Sequence, residues 1–367
     1  MKRILVYGLS PTYGGTERYF LTLIKQFTDK EFIFDFLYPY TVKEISYADE
    51  IEQRGGEIFR SYYSNSEKNI SGAISIKAFF DTYPNRWDGV YVNFQSINTA
   101  YRLLEEAKKR KMPYRIAHAH NNGYPYPPRV KDKLVELYFH LTQKHVLTHR
   151  LCCSSLAGDW FFRCKGYNVI PNSIEFKRFK KSDNERYRRR MELGLSDKSF
   201  VVGFCGRLVE QKNPLFVIDI FKEIHNKNSN AILLIVGDGR LREEINDRVQ
   251  QYELSNAVIL CGAVNDVENY LSAMDVFLLP SRFEGFGISL LEAQAAGLEC
   301  YTSEKVVPTE TNITNHVNFL SLKDSAETWA DAILTGNIAH YDEFEKLENS
   351  NYSLTNLRKL FIEAIQM

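Results

Sequence analysis

The 367-residue chain contains no apolar run approaching the roughly 18 residues that a membrane-spanning helix needs, so no transmembrane anchor is expected. Its six cysteines, Cys152, Cys153, Cys164, Cys205, Cys261 and Cys300, are scattered. They match neither a zinc-ligand spacing nor a disulfide framework, and they read as buried, reduced thiols of a cytosolic protein. There is no solenoid-length repeat and no low-complexity tract. The formal net charge is zero, and no nucleic-acid partner is expected. The start, Met1-Lys2-Arg3 followed by Ile4 to Tyr7, superficially resembles a secretion signal. Its apolar run is too short, and Gly8 to Thr16 is a polar, glycine-rich loop without a cleavage pattern, so a first strand is the better reading.

What remains is ordinary soluble composition, 44% apolar and 25% charged, at a length that suggests about two domains. The halves differ in charge. Residues 1–175 carry 24 Lys+Arg against 18 Asp+Glu, and residues 176–367 carry 22 against 28. Short apolar strands alternate with helical patterns: Ile4–Tyr7, Phe32–Leu37, Gly89–Val92, Tyr114–Ala117, Phe200–Phe204, Ala231–Val236, Ala257–Leu260 and Val276–Leu279. This alternation predicts an α/β protein of doubly wound parallel sheets. A polar, charged stretch from Glu175 to Asp197 separates two such patterns. It sets expected domains at 1–175 and 176–350, with a final helix over 351–367.

Residues 280–297 read Pro-Ser-Arg-Phe-Glu-Gly-Phe-Gly-Ile-Ser-Leu-Leu-Glu-Ala-Gln-Ala-Ala-Gly. They follow an apolar strand, open as a glycine-containing loop and become a helix ended by Gly297. The backbone N–H groups of Phe286, Gly287 and Ile288 at that helix start favour an anion. Glu284 in the loop and Glu292 in the helix suit sugar and ribose hydroxyls. A nucleotide-sugar presents both chemistries. A second loop, Gly206-Arg207-Leu208-Val209-Glu210-Gln211-Lys212-Asn213-Pro214, follows another strand and puts two cations, Arg207 and Lys212, beside a helix start, which suits a diphosphate. The alternative is a solvated surface Arg and Lys.

Weaker signals accompany these. Gly14-Gly15-Thr16-Glu17 opens the first helix, where the glycines allow close backbone approach and Thr16 could be a plain N-cap. Val236-Gly237-Asp238-Gly239 and Cys261-Gly262-Ala263-Val264 each follow a strand, and a structural reading fits them equally. His118 and His120 end a strand on the same side. A metal pair is conceivable, but no third ligand is recognisable, so no metal site is assigned.

The run Ser-Arg-Phe-Glu-Gly-Phe-Gly-Ile-Ser-Leu-Leu-Glu-Ala, with its Glu-x7-Glu spacing, resembles the donor signature of retaining glycosyltransferases of family four. Gly-Arg-Leu…Gln-Lys-Asn-Pro, the glycine loop at Gly14-Gly15 and His118-Ala119-His120-Asn121 resemble the same family in the same order. So does Pro171-Asn172-Ser173-Ile174, with Ser173 where the family usually has Gly. The overall likeness is to bacterial capsule and exopolysaccharide enzymes.

The resemblance implies a GT-B fold, two Rossmann-like doubly wound domains facing a central cleft, with the last helix crossing back to the first domain. It implies retaining transfer from a nucleotide-sugar, with a UDP-linked donor expected, without cofactor or metal. The acceptor would be a glycan, commonly a sugar on a polyprenyl diphosphate at the inner face of the plasma membrane. Arg207 and Lys212 would hold the diphosphate, Glu292 the ribose and Glu284 the transferred sugar. Gly14, Gly15, Phe286, Gly287 and Ile288 would lie against the phosphates, Gly237, Gly262, Ala263 and Val264 near the base and ribose, and His120 near the donor sugar. The alternatives are a nucleotide-sugar epimerase of the same fold and an inactive scaffold partner. Lys108-Lys109-Arg110-Lys111, Tyr124 to Arg129, Lys131 and Lys133 suggest a docking face for an anionic membrane.

Overall fold

Strands buried on both faces read as near-continuous apolar runs, which is the signature of a parallel sheet covered by helices. A computed structural model describes the chain except residues 13, 29, 40, 62–74, 95–96, 124–129, 197, 337–339 and 367, and the side chains of residues 61, 97–99 and 130–132. Of the segments read as a membrane face, Tyr124 to Arg129 and the Lys131 side chain therefore lie outside the described residues.

The chain divides into two compact units, Met1–Ser173 with Asn356–Met367, and Ile174–Thr355. The first unit holds strands β1 (Lys2–Tyr7), β2 (Phe32–Pro39), β3 (Ile58–Ser61), β4 (Gly89–Asn93), β5 (Tyr114–Ala119), β6 (His149–Cys152) and β7 (Asn168–Val169). They form a parallel sheet in the order β3-β2-β1-β4-β5-β6-β7. The second unit holds β8 (Phe200–Cys205), β9 (Ala231–Val236), β10 (Val258–Gly262), β11 (Val276–Leu279), β12 (Glu299–Ser303) and β13 (Val317–Leu320). Its parallel order is β10-β9-β8-β11-β12-β13. Each unit is a doubly wound, Rossmann-like α/β domain, so the expected fold class is observed.

The eight strands read from sequence all exist, with ends shifted by at most two residues. Five others carried too little apolar signal. β7 is two residues long, and β12 reads Glu-Cys-Tyr-Thr-Ser yet is buried at every position. Tertiary packing, not propensity, makes β12 a strand: Thr302 Oγ1 donates to the Leu279 carbonyl at 2.8 Å, and Glu299 accepts from Asn318.

The first unit's core is built around an ion. Asp35, in the middle of β2, is fully buried. Arg3 Nε and Nη2 donate to it at 2.7 and 2.9 Å, Trp87 Nε1 at 2.8 Å and the Glu57 backbone N–H at 2.9 Å. Arg86 Nε adds a fifth donor at 3.3 Å, and the five together compensate the desolvation of one carboxylate. The last helix, Leu354–Gln366, buries Phe361 against Phe27 and Phe32, with ring centroids 5.4 and 6.1 Å apart, while Arg358 pairs with Glu31.

Removing the Asp35 charge strands Arg3 and the Trp87 indole. Asp35→Ala should therefore destabilise the protein by about 3–5 kcal/mol, read as a fall in the urea midpoint; a change within measurement error would show that the charge network adds nothing.

Candidate active site

In an open parallel sheet, the two loops leaving a strand and its neighbour diverge where the chain order reverses, and ligands bind outside the carboxyl ends there. In the second unit this place is between β8 and β11, which are paired. The loop after β8 holds Arg207 and Lys212, and the loop after β11 holds Glu284. Sheet pairing therefore brings together segments about seventy residues apart.

The two loops are cross-linked. The Arg282 N–H donates to the Gln211 carbonyl at 2.8 Å, and Gln211 Nε2 donates to the Phe283 carbonyl at 3.3 Å. Arg282 Nε donates to Asn213 Oδ1 at 3.2 Å. Asn213 stands in the left-handed region at φ 55° and starts the helix Pro214–Lys227. Lys212 Nζ donates to Glu284 Oε2 at 2.5 Å, and Ser281 Oγ donates to the same oxygen at 3.3 Å. Both side chains of the pair are largely buried. Arg207 is exposed, with Nη2 3.4 Å from Gln211 Oε1.

The helix Ile288–Ala295 begins behind this pair with Gly287 as its N-cap, and no side chain caps it. Its first-turn N–H groups therefore remain a favourable place for an anion. Phe286 contributes only backbone here, because its ring is buried and stacked on Tyr352 at 5.2 Å. Glu292 is buried one turn into the helix. It adds to the negative field that, after the bond Arg178 donates to Glu268, raises the Arg178 pKa.

The other two loops of this unit stack onto the first. The Gly206 N–H donates to the Val236 carbonyl at 3.0 Å and the Gly237 N–H to the Gly262 carbonyl at 2.8 Å. Gly237 has φ +137°, and a Cβ there would stand 2.0 Å from the Gly206 carbonyl oxygen, so only glycine fits. Gly237 thus holds the Arg207 loop in place. Gly262 ends β10, Ala263 is exposed and Val264 half-buried. All the second-unit residues singled out in the sequence lie at or just beyond the carboxyl end of one sheet, in the Glu292 case on the helix that starts there.

The first unit has its own cluster at the carboxyl ends of β1, β4 and β5. Gly14, not Thr16, is the N-cap of the helix Gly15–Ile24. Glu17 folds back over that helix start and accepts the Ser10 N–H at 2.7 Å. His118 is fully buried, with Nδ1 bonded to the Tyr91 hydroxyl. Its ring stacks on His120 at 4.0 Å, and Tyr19 lies against both rings. His120 Nε2 meets Asn93 Oδ1 at 2.9 Å. His118 Nε2, His120 Nδ1 and Asn93 Nδ2 are buried without a hydrogen-bond partner.

Burial sets the protonation of this cluster. It lowers His120 to about 3, and burial together with the neighbouring His120 holds His118 well below its ordinary value. It raises the Tyr19 and Tyr91 phenols. At neutral pH the two imidazoles and two phenols are uncharged, and with Asn93 Oδ1 accepting from Nε2–H, His120 keeps a lone pair on Nδ1. Such a nitrogen accepts a hydrogen bond from a hydroxyl. Asn93, Tyr19 and Tyr91 escaped the sequence reading. The only signal was a polar residue closing an otherwise apolar strand, Tyr91-Val92-Asn93. Among the described residues no group of three or more His, Cys, Asp or Glu could hold a metal ion.

Comparison with known proteins agrees with this fold. Residues 185–335 match the family of glycosyl transferases group 1. The chain is similar to EpsF of Bacillus subtilis, a protein with a glycosyltransferase name, at 26% identity over 90% of this chain and 87% of that one. It is also similar to an Escherichia coli UDP-Gal:α-D-GlcNAc-diphosphoundecaprenol α-1,3-galactosyltransferase, at 29% identity over 62% and 66% of the two chains. In fold it is similar to HepE of Anabaena, solved with UDP, at a TM-score of 0.80 and 17% identity over 100% of both chains.

The buried histidines make the first unit acid-sensitive. Unfolded, His120 takes up its proton near 6.5; folded, it does so only near 3. The unfolded chain therefore binds more protons across that window, and stability should fall as pH drops through it, by up to about 1.4 kcal/mol per pH unit for this group. His120→Gln should flatten the slope of urea midpoint against pH from neutrality downwards. An unchanged slope would contradict the buried, neutral imidazole.

Proposed function

We propose that this protein is a retaining glycosyltransferase of surface-polysaccharide synthesis that uses a UDP-linked sugar as donor and a glycan acceptor, commonly lipid-linked. The observation that carries the reading is the meeting of the Arg207–Lys212 loop with Glu284 and the uncapped helix start at Gly287. That meeting puts cations, N–H groups and carboxylates within one sheet end. The match over residues 185–335 lies within this unit and includes all of these residues. The donor reading is supported by the similar Anabaena structures, solved with UDP and with UDP-glucose. The acceptor reading is supported by the E. coli relative, whose name specifies a diphosphoundecaprenol-linked sugar.

In this reading Arg207 and Lys212 bind the donor diphosphate and offset charge as it leaves, together with the dipole of the helix Ile288–Ala295. Lys212 is held by Glu284 before donor arrives. The diphosphate would share it, and Glu284 would turn a carboxylate oxygen to the sugar hydroxyls. Glu292 would bind the ribose and His120 the donor sugar. The leaving phosphate would accept the acceptor proton on the same face, so no protein nucleophile is assigned. These charges would take the electrostatic role that a metal plays in other transferases, and the rate should not depend on one.

Screening nucleotide-sugars for thermal stabilisation identifies the donor, and product analysis with an acceptor panel tests the transfer. With the donor that stabilises, Arg207→Ala and Lys212→Ala should each lower the rate by roughly 10²-fold or more. A smaller loss in both, or abolition of activity by chelator, would overturn the proposed diphosphate clamp. Glu292→Gln should weaken UDP binding by about 1.5–3 kcal/mol, measured calorimetrically, whereas an unchanged affinity would remove it from the ribose. His120→Ala should reduce transfer more than UDP binding; equal losses would make it structural.

A further inference from the structure

The helix Val130–Val146 is apolar on two opposite faces. Its inner face buries Phe139 and Val146. Its outer face leaves Leu134, Leu137, Tyr138 and Leu141 exposed by 63, 56, 52 and 70%. These four recur at i, i+3, i+4 and i+7, so they lie within about 100° of arc and form one stripe. Single exposed apolar residues are ordinary on a protein surface; a contiguous stripe of four large ones marks a surface that something covers.

Among the described side chains of this helix and the one alongside, the exposed charges are positive. Lys133 and Lys144 are exposed on the same helix. Among residues 133–146 the sole carboxylate, Glu136, is buried and paired with Arg163. The helix alongside, Ile97–Lys109, packs through Tyr101, whose ring meets Tyr138 at 5.7 Å and whose hydroxyl bonds Thr142. That helix exposes Arg102, Lys108 and Lys109, with Glu105 half-buried among them.

We propose that this face of the first unit lies on an anionic lipid bilayer, with Leu134, Leu137 and Leu141 entering the headgroup boundary, Tyr138 at the interface and the flanking lysines on lipid phosphates. A helix with an apolar stripe and a basic rim lies in the plane of such a surface, held by apolar area and by attraction to anionic headgroups together. No helix of the described residues is long and apolar enough to cross a membrane. A helix lying in the interface is held reversibly. A second copy of the chain fits less well. In a symmetric dimer the same patch meets itself, and here cations would face cations with little exposed carboxylate to pair them. This surface is separate from the transfer chemistry and does not rest on that reading.

The test is sedimentation of the full chain with vesicles of phosphatidylcholine mixed with phosphatidylglycerol, against phosphatidylcholine alone, at low and high salt. Binding to the mixed vesicles, weakened by salt, is expected. Leu137→Ser with Leu141→Ser should lower the partition coefficient at least tenfold, and Lys108→Gln with Lys109→Gln should weaken binding and reduce its salt dependence. Because all four side chains are exposed, both variants should keep the wild-type melting temperature and UDP affinity, which separates loss of docking from loss of fold or of donor binding. If the wild type ignores lipid charge, or if the serine variant binds as well as the wild type, the proposal is wrong. If the protein stays off vesicles and the serine variant converts a solution dimer to monomer, the stripe is a self-association face and the proposal is equally overturned.

Discussion

Everything functional in this molecule depends on two parallel sheets that reverse direction beside one central strand. β1 is flanked by β2 and β4, and β8 by β9 and β11. Parallel pairing sends every strand's carboxyl end to the same edge, and the reversal parts the loops that leave adjacent strands. The loop after β8 and the loop after β11 are then obliged to be neighbours. Backbone hydrogen bonds between Arg282 and Gln211, and the αL turn at Asn213 held by Arg282, convert that neighbourhood into fixed geometry. The Lys212–Glu284 pair is a consequence of this arrangement and not its cause.

The two units manage buried polarity differently. In the second, charge is kept and paired: Lys212 with Glu284 near the sheet edge, and Arg186 and Arg190 with Asp275 beneath it. In the first unit the sheet edge carries neutral imidazoles and phenols beside the Glu17 carboxylate. Burial suppresses protonation of His118 and His120 and deprotonation of Tyr19 and Tyr91, leaving a set of uncharged donors and acceptors. The most deeply buried carboxylate described in that unit, Asp35, sits in mid-strand and is saturated by Arg3, Arg86, Trp87 and backbone. A cationic edge suits a diphosphate, whereas neutral imidazoles with unpaired lone pairs suit hydroxyls. The partially unsatisfied atoms of Asn93, His118 and His120 carry a desolvation cost that a bound hydroxyl would relieve.

Some of this was present in the residue string. Apolar runs bounded by glycine and polar residues identified β1, β2, β4, β5, β8, β9, β10 and β11, because a strand buried on both faces has no polar positions to hide it. The loop-helix unit over Pro280 to Gly297 was equally legible, since left-handed glycine at each end of a short helix, Gly287 and Gly297, is a local requirement. Strands β3, β6, β7, β12 and β13 were not legible. They are short, or, like Glu299–Ser303, polar in sequence, and they become strands only because a partner strand and a helix layer cover them.

The sequence by itself determined the α/β class, the two sheets and the separate segments that carry cations, carboxylates and imidazoles, because each rests on local periodicity and turn chemistry. Tertiary structure alone decided which segments meet. It paired Lys212 with Glu284 across seventy-two residues, gave His120 to Asn93 across twenty-seven, and made Gly237 a spacer against Gly206. It also left Leu134, Leu137, Tyr138 and Leu141 outside. In the string those four merge with Phe139 and Val146 into one apolar helix. Only the packing of the inner face against Phe94, Tyr101 and Phe161 separates the residues that fill a core from those that remain on the surface, because burial is a property of what surrounds a side chain and not of the side chain itself.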